Sequence, residues 1–309
     1  MAVCFPVLLY PFGATTSASK IEFVFRRNAG LDPTCRYESD FDNRPQCKLP
    51  GDPRVALWGD SFAMHWAAGL ADALHGEGLI QITKGMCGPF EQLAVLNEDC
   101  IRFNKSALHF IVTTDTIKTV VLSAALGSYL HPNDVLVGDK VEKPDTKTLR
   151  RQFLATLSAL RTAQKNVIVI APLPYPENNI NIGKCLQRKA QGIFVFPILR
   201  SDCSFSYETY QAAGSREIEF LRTMEQLDHI NVVWPERVTC DNEICAAQID
   251  GTPLYRDTGH ITYDASILLA RKLHIADKLD LTLQHPANAA VQWPPRRTTP
   301  LGNQTAGAQ

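Results

Sequence analysis

Apolar residues along the chain gather into five short runs, at residues 55–59, 79–83, 119–123, 166–170 and 230–234. Their length and their Val, Ile and Leu content fit strands buried on both faces. Between the runs, apolar positions recur three and four residues apart. Phe62, Ala63, Trp66, Ala67, Leu70, Ala71 and Leu74 form one such stripe, and Ile261, Ala265, Leu268, Leu269, Leu273 and Ala276 form another. Similar spacing predicts helices over about 103–117, 146–163 and 207–227. Strands alternating with helices predict an α/β fold: a doubly wound, mostly parallel five-stranded sheet, flavodoxin-like, with helices on both faces. Residues 13–53 and 131–144 read as irregular loop. Pro172, Pro174 and Pro176 end the fourth strand and open an excursion over 175–204, either a flap beside a site or an ordered insertion.

The pattern fades at both ends. Residues 1–30 open on a short apolar stretch carrying Pro6 and Pro11, either a degenerate signal or the trimmed end of a membrane segment. Residues 284–309 are rich in Pro, Thr, Ala and Gly and predict a disordered tail, which leaves 31–283 as one catalytic-type domain. With 31 basic and 32 acidic residues, nothing suggests a nucleic-acid surface or a polybasic membrane anchor.

Cysteine usage adds a compartment. Of nine cysteines, all but Cys4 fall into consecutive local pairs, and no Cys-x-x-Cys occurs. Eight cysteines admit 105 connectivities, of which the simplest is four local disulfides: Cys35–Cys47, Cys87–Cys100, Cys185–Cys203 and Cys240–Cys245. The alternative is eight scattered reduced thiols. Disulfides imply an extracytoplasmic location.

The candidate chemistry sits where the first strand meets the first helix. Gly59-Asp60-Ser61 is a tight turn that places a serine at a helix N-terminus, on the carboxyl edge of the sheet where open α/β folds bind ligands. A serine nucleophile needs a base, and His260, three residues after Asp257 and just before the last helix, is the best of eight histidines. In a tight turn, Asp257 would accept from one imidazole nitrogen and leave the other facing Ser61. His65 is a rival base, four residues after Ser61, and His131 has no evident partner. Oxyanion donors would come from the Ser61 amide and from Gly88, which Cys87 would pin beside the first strand, with Gly85 as the alternative. No ligand spacing supports a metal, and no cofactor motif is present.

These motifs resemble those of the SGNH (GDSL-type) hydrolase family. The blocks are Gly59-Asp60-Ser61, the glycine loop at 85–88, and Asp257-Thr258-Gly259-His260. More closely, the chain is similar to the soluble SGNH domain attached to membrane acyltransferase-3 proteins, which O-acetylate bacterial surface glycans. That likeness is carried by residues 55–61, Cys87-Gly88-Pro89, residues 171–174, the order of the cysteines, and residues 251–257 running into His260. Two departures stand out. The family's asparagine after the third strand is absent, leaving the hydroxyl of Ser123 as a shorter donor, and Phe62 occupies a position often held by His.

The resemblance implies O-acyl transfer, of acetyl above all, to or from a surface glycan such as lipopolysaccharide through an acyl-serine. A periplasmic setting and an acyl donor delivered by a membrane acyltransferase domain or partner go with it. A carbohydrate O-acetyl esterase and a catalytically degenerate glycan-binding module are the alternatives. Trp58, Trp66, Tyr129 and Trp234 are read as either sugar-stacking faces or core.

Overall fold

The computed structural model describes residues 21–279, apart from 23, 96, 132–133, 144, 178–179 and 194–199. The apolar stretch at 2–12 and the tail at 284–309 therefore lie outside the described residues. Five strands form the main sheet: β1 (Val55–Gly59), β2 (Leu79–Thr83), β3 (Thr119–Ser123), β4 (Asn166–Ile170) and β5 (Asn231–Val233). All pair in parallel, in the order β2-β1-β3-β4-β5. Every residue of β1, β2 and β3 is buried, because both faces are covered.

Side chains alternate between two cores, as the pleat requires. Ala56, Trp58, Ile82, Val120, Leu122 and Val169 face one core; Val55, Leu57, Val121, Ile168 and Ile170 face the other. The helices around the sheet include α1 (Ser61–Met64), α2 (Ala67–Ala73), α3 (Glu98–Thr113), α4 (Thr146–Thr162), α5 (Ile182–Ala190), α6 (Tyr207–Ala213), α7 (Ser215–Leu227) and α8 (Tyr263–Lys272). Phe103 of α3, Phe153 of α4 and Phe220 of α7 fill the first core. Leu70 of α2, Leu186 of α5 and Leu269 of α8 fill the second. The doubly wound sheet expected from the apolar runs is the one observed.

Four segments differ from their sequence patterns, each for a local reason. The stripe at 62–74 is two helices, because the carbonyl of His65 accepts from Asn28 Nδ2 at 3.0 Å, while the Gly69 amide donates to Ser266 Oγ at 2.9 Å. The helical bond between those two backbone groups is thereby replaced. The stripe at 207–227 is kinked at Gly214, with φ −94° and ψ 11°. Helix α3 begins at Glu98, capped by Asn97 accepting from the Asp99 amide at 3.0 Å, and its first turn carries Glu98 and Asp99 where the helix dipole favours them. The 131–144 loop holds a short antiparallel hairpin, Val135–Val137 with Lys140–Glu142, too brief to show a period.

The four expected disulfides are formed, with Cα separations of 5.3, 5.3, 5.8 and 4.0 Å. The first closes a segment that covers the outer edge of β2, where the Tyr37 amide donates to Thr83 O at 3.0 Å and the Leu49 amide to Leu79 O at 2.9 Å. An otherwise open sheet edge is thereby satisfied.

The chain moves from β1 outward to β2, then returns to β3 on the other side of β1. That reversal puts a topological switch point at the carboxyl ends of β1 and β3, where such sheets open a crevice.

Candidate active site

The turn after β1 is shaped by the closeness of β3. Gly59 has φ +151°, and a Cβ on it would fall 2.0 Å from Ser123 O, so no larger residue fits. Asp60 then caps α1: its Oδ1 accepts from the Phe62 amide at 2.7 Å. Its Oδ2 accepts from the Ala125 amide at 2.9 Å, fastening the loop after β3 to the turn. Burial pushes the Asp60 carboxyl up to about 6, against the lowering effect of the Ala125 and Phe62 amides. Ser61 is the first residue of α1, half-buried at the switch point.

The second half of the site is a turn held from below. Tyr255 donates its hydroxyl to Pro174 O at 2.6 Å, and the Gly183 amide near the start of α5 donates to Asp257 O at 3.2 Å. A Cβ on Gly183 would lie 2.0 Å from Arg256 O, so α5 rests directly on this backbone. Within the turn, Asp257 Oδ1 accepts from the amides of Gly259 at 3.1 Å and His260 at 2.9 Å. His260 Nδ1 lies 3.0 Å from each Asp257 oxygen, and His260 Nε2 lies 2.8 Å from Ser61 Oγ. Burial would raise the Asp257 carboxyl, but the His260 ring and amide and the Arg256 guanidinium outweigh it and hold the group well below the usual carboxylate range.

Ser61 and His260 are 199 residues apart in the chain, and the helices that follow them make the meeting possible. Helix α2 follows Ser61 and α8 follows His260. A Cβ on Gly69 would lie 2.3 Å from Ser266 O and 2.8 Å from Ala270 Cβ, so only glycine allows the two backbones this approach. At the far end Arg271 grips Asp72 with two bonds, of 2.7 and 2.6 Å.

The other sequence candidates are placed as follows. His65 is buried, its ring perpendicular to that of His260 with centroids 5.9 Å apart. Burial, with His260 and Arg256 nearby, holds it well below its ordinary range, so it is an uncharged packing partner. Phe62 packs against both rings, its centroid 5.1 Å from that of His260 at a 54° tilt and 5.4 Å from that of His65. The Gly88 amide donates to the Tyr129 hydroxyl at 2.7 Å, and Ser123 Oγ donates to Ile170 O at 2.9 Å. Gly85 follows Lys84, whose amide donates to Gly59 O at 3.1 Å beside the elbow. Trp58, Trp66, Tyr129 and Trp234 are all fully buried and serve as core rather than sugar-stacking faces.

Sequence reasoning missed several supports of the site. Asn104 accepts from Trp58 Nε1 at 3.0 Å and donates to the carbonyls of Gly88 at 2.8 Å and Phe90 at 2.9 Å, so it locks the glycine loop to β1. A polar residue on the apolar stripe of α3 was the available signal. His131 has a partner after all: its Nε2 lies 3.6 Å from Glu217 Oε1, which also accepts from the Tyr175 hydroxyl at 2.8 Å. Arg256, within the 251–257 motif, also holds the site: its Nε and Nη2 donate to Asp257 Oδ2 at 3.2 and 2.8 Å.

Chemically, the arrangement is a hydroxyl against one imidazole nitrogen and an ionised carboxylate against the other. A proton leaving the hydroxyl can pass to the imidazole, and the carboxylate stabilises the cation that forms.

A family model described as the SGNH domain fused to AT3 domains matches residues 34–274. No curated protein matches the chain in sequence. Among solved structures, the periplasmic domain of the lipopolysaccharide acetyltransferase of Salmonella ser. Paratyphi A is similar, with 18% identity, a TM-score of 0.57, and coverage of 75% of this chain and 86% of that one. A GDSL-like lipase from Bacteroides thetaiotaomicron has 13% identity and a TM-score of 0.41, covering 73% and 88%. The C-terminal catalytic domain of peptidoglycan O-acetyltransferase A from Streptococcus pneumoniae has 12% identity and a TM-score of 0.34, covering 74% and 93%.

Proposed function

Because the chain belongs to the family of SGNH domains fused to AT3 domains, we propose that it transfers an acyl group, acetyl above all, to a hydroxyl of a bacterial surface glycan through Ser61. The observation that carries this reading is the 2.8 Å approach of Ser61 Oγ to His260 Nε2, with Nδ1 on the Asp257 carboxylate. In the tautomer with Nδ1–H facing Asp257, Nε2 takes the Ser61 proton as Oγ attacks the acyl carbonyl carbon. The tetrahedral oxyanion then collapses, the leaving group departs with the proton from His260, and an acyl-serine remains. A sugar hydroxyl next gives its proton to Nε2 and attacks the ester, and collapse returns the proton to Ser61. The products are the O-acylated glycan and free serine.

We assign the oxyanion to the Ser61 amide and the Gly85 amide. Gly88 and Ser123 would first have to release Tyr129 and Ile170. Losing one such donor costs about 3 kcal/mol in other enzymes, so the absent asparagine sets a lower rate rather than abolishing turnover. Water in place of the sugar gives the carbohydrate O-acyl esterase. A purely binding module is disfavoured by the short Ser61–His260 contact, which a glycan-binding surface does not need.

The four disulfides support an extracytoplasmic setting, and fusion to AT3 domains in the family supports a membrane acyltransferase as the source of the acyl group. Among the described residues no helix is long and apolar enough to cross a membrane.

The test is to incubate the protein with p-nitrophenyl acetate and a de-O-acetylated surface glycan, then follow acetylated glycan and free acetate by mass spectrometry. Transfer is expected from the wild type and not from Ser61→Ala. Free acetate alone would leave the esterase, and no Ser61-dependent product at all would leave the binding module.

A further inference from the structure

The carboxylate of Asp257 is saturated from two sides. Oδ1 accepts the amides of Gly259 and His260, at 3.1 and 2.9 Å. Oδ2 accepts two bonds from Arg256, at 3.2 and 2.8 Å, and His260 Nδ1 is shared between both oxygens. The two amides come with the turn itself; Arg256 and His260 supply the side-chain donors, and Arg256 alone of these carries a permanent charge. Its side chain is only 18% exposed, so solvent screens its charge weakly. Its own backbone is fixed as well: the Arg256 amide donates to His260 O at 2.8 Å, and Gly183 presses on its carbonyl.

We infer that Arg256 is a positioning residue for the proposed reaction: its two-bond grip holds the Asp257 carboxylate against His260 Nδ1 and sets a fixed positive charge beside the Asp257–His260 pair. The inference rests on the reading of Ser61 and His260 given above. The physical reason is a competition. Asp257 favours a positive charge on the imidazole, while a fixed cation on the same carboxylate oxygen opposes it. The groups facing His260 are Asp257 and Arg256 from its own turn, and Asp60, Ser61, Phe62 and His65 from the β1–α2 segment. Of these, only Arg256 carries a fixed positive charge. Its reach is visible at His65, which Arg256 helps keep uncharged.

Three variants separate the charge from the geometry. Arg256→Gln keeps a donor and loses the charge, Arg256→Lys keeps the charge and loses the two-bond grip, and Arg256→Ala loses both. For hydrolysis of p-nitrophenyl acetate, Arg256→Gln is expected to move the acid limb of the kcat/KM profile to higher pH. Arg256→Lys is expected to leave the limb in place while kcat falls about tenfold with KM unchanged. A second readout is independent of turnover: the ring resonances of His260 are titrated by NMR in a Ser61→Ala background, where Arg256→Gln should move the midpoint up and Arg256→Lys should not. Circular dichroism checks that each variant is folded, and Arg256→Lys serves alone if the others are not. Absence of Ser61-dependent hydrolysis would overturn the functional reading while the NMR titration still decides the role of Arg256. An unmoved midpoint in folded Arg256→Gln, or an Arg256→Lys titration that follows Arg256→Gln, would overturn the inference.

Discussion

The amide of Gly69 and the hydroxyl of Ser266 meet at 2.9 Å where α2 crosses α8, and each helix begins within a few residues of a candidate catalytic side chain. The contact makes the Ser61–His260 distance a consequence of helix packing. Gly69→Val is therefore expected to destabilise the fold by about 3 kcal/mol through overpacking against Ser266 and Ala270. It should also lower kcat in the fraction that remains folded. Ser266→Ala, which removes only the hydrogen bond, should cost about 1 kcal/mol. Urea melts of the two variants check both; equal, small losses would mean that the helices are free to separate.

Gly59 has the same character at the sheet itself. Gly59→Ala is expected to cost about 2–4 kcal/mol, because the added methyl meets a backbone carbonyl of β3 that cannot move without breaking strand pairing. A variant as stable as wild type would show that the elbow can open.

Asp60 ties stability to pH with a sign opposite to that of most carboxylates. Its carboxyl is at about 6 in the fold and near 4 in an unfolded chain, so between those values the native state holds more protons. Its contribution therefore falls as pH rises from about 4 to about 6, by an amount on the order of 2 kcal/mol, and is constant above. Asp60→Asn removes the titration. The stability gap between wild type and variant should narrow over that window in thermal melts; a gap that widens with pH would contradict the buried placement.

His65 acts in the other direction. It is buried uncharged, whereas an unfolded chain protonates it below about pH 6.5, so stability is lost as pH falls through that value, at about 1.4 kcal/mol per pH unit. His65→Phe should flatten the dependence of Tm on pH between 6.5 and 5.5 by about 3 °C. An unchanged slope would mean that the ring titrates in the folded protein.

The disulfides should differ in worth by loop length. Cys185–Cys203 closes 18 residues and Cys240–Cys245 only 5. In the chain-entropy view, double serine replacement of the first costs about 1 kcal/mol more than of the second. Guanidinium melts under oxidising conditions measure the difference, and the reverse order would point to native-state effects.

The apolar runs by themselves determined the five strands and their parallel winding, because strand pleat and helical turn leave different periods in a sequence. The cysteine spacing likewise anticipated four local bridges, since short separations close easily. The pairing of Ser61 with His260 and Asp257 was suggested by motif, but its geometry comes from contacts between residues far apart. Asn28 and Ser266 break the helix after Ser61, Gly69 admits α8, and Gly183 seats the Asp257 turn. None of these has a periodic signature, because a hydrogen bond or a close backbone approach between residues as much as 37 or 197 positions apart leaves no local pattern. The donors around the elbow were likewise settled only in three dimensions: Tyr129 and Ile170 engage Gly88 and Ser123, and Arg256 completes the ring around Asp257. Local preference selects the elements, and the packing of α2 on α8 brings the serine that precedes the one against the histidine that precedes the other.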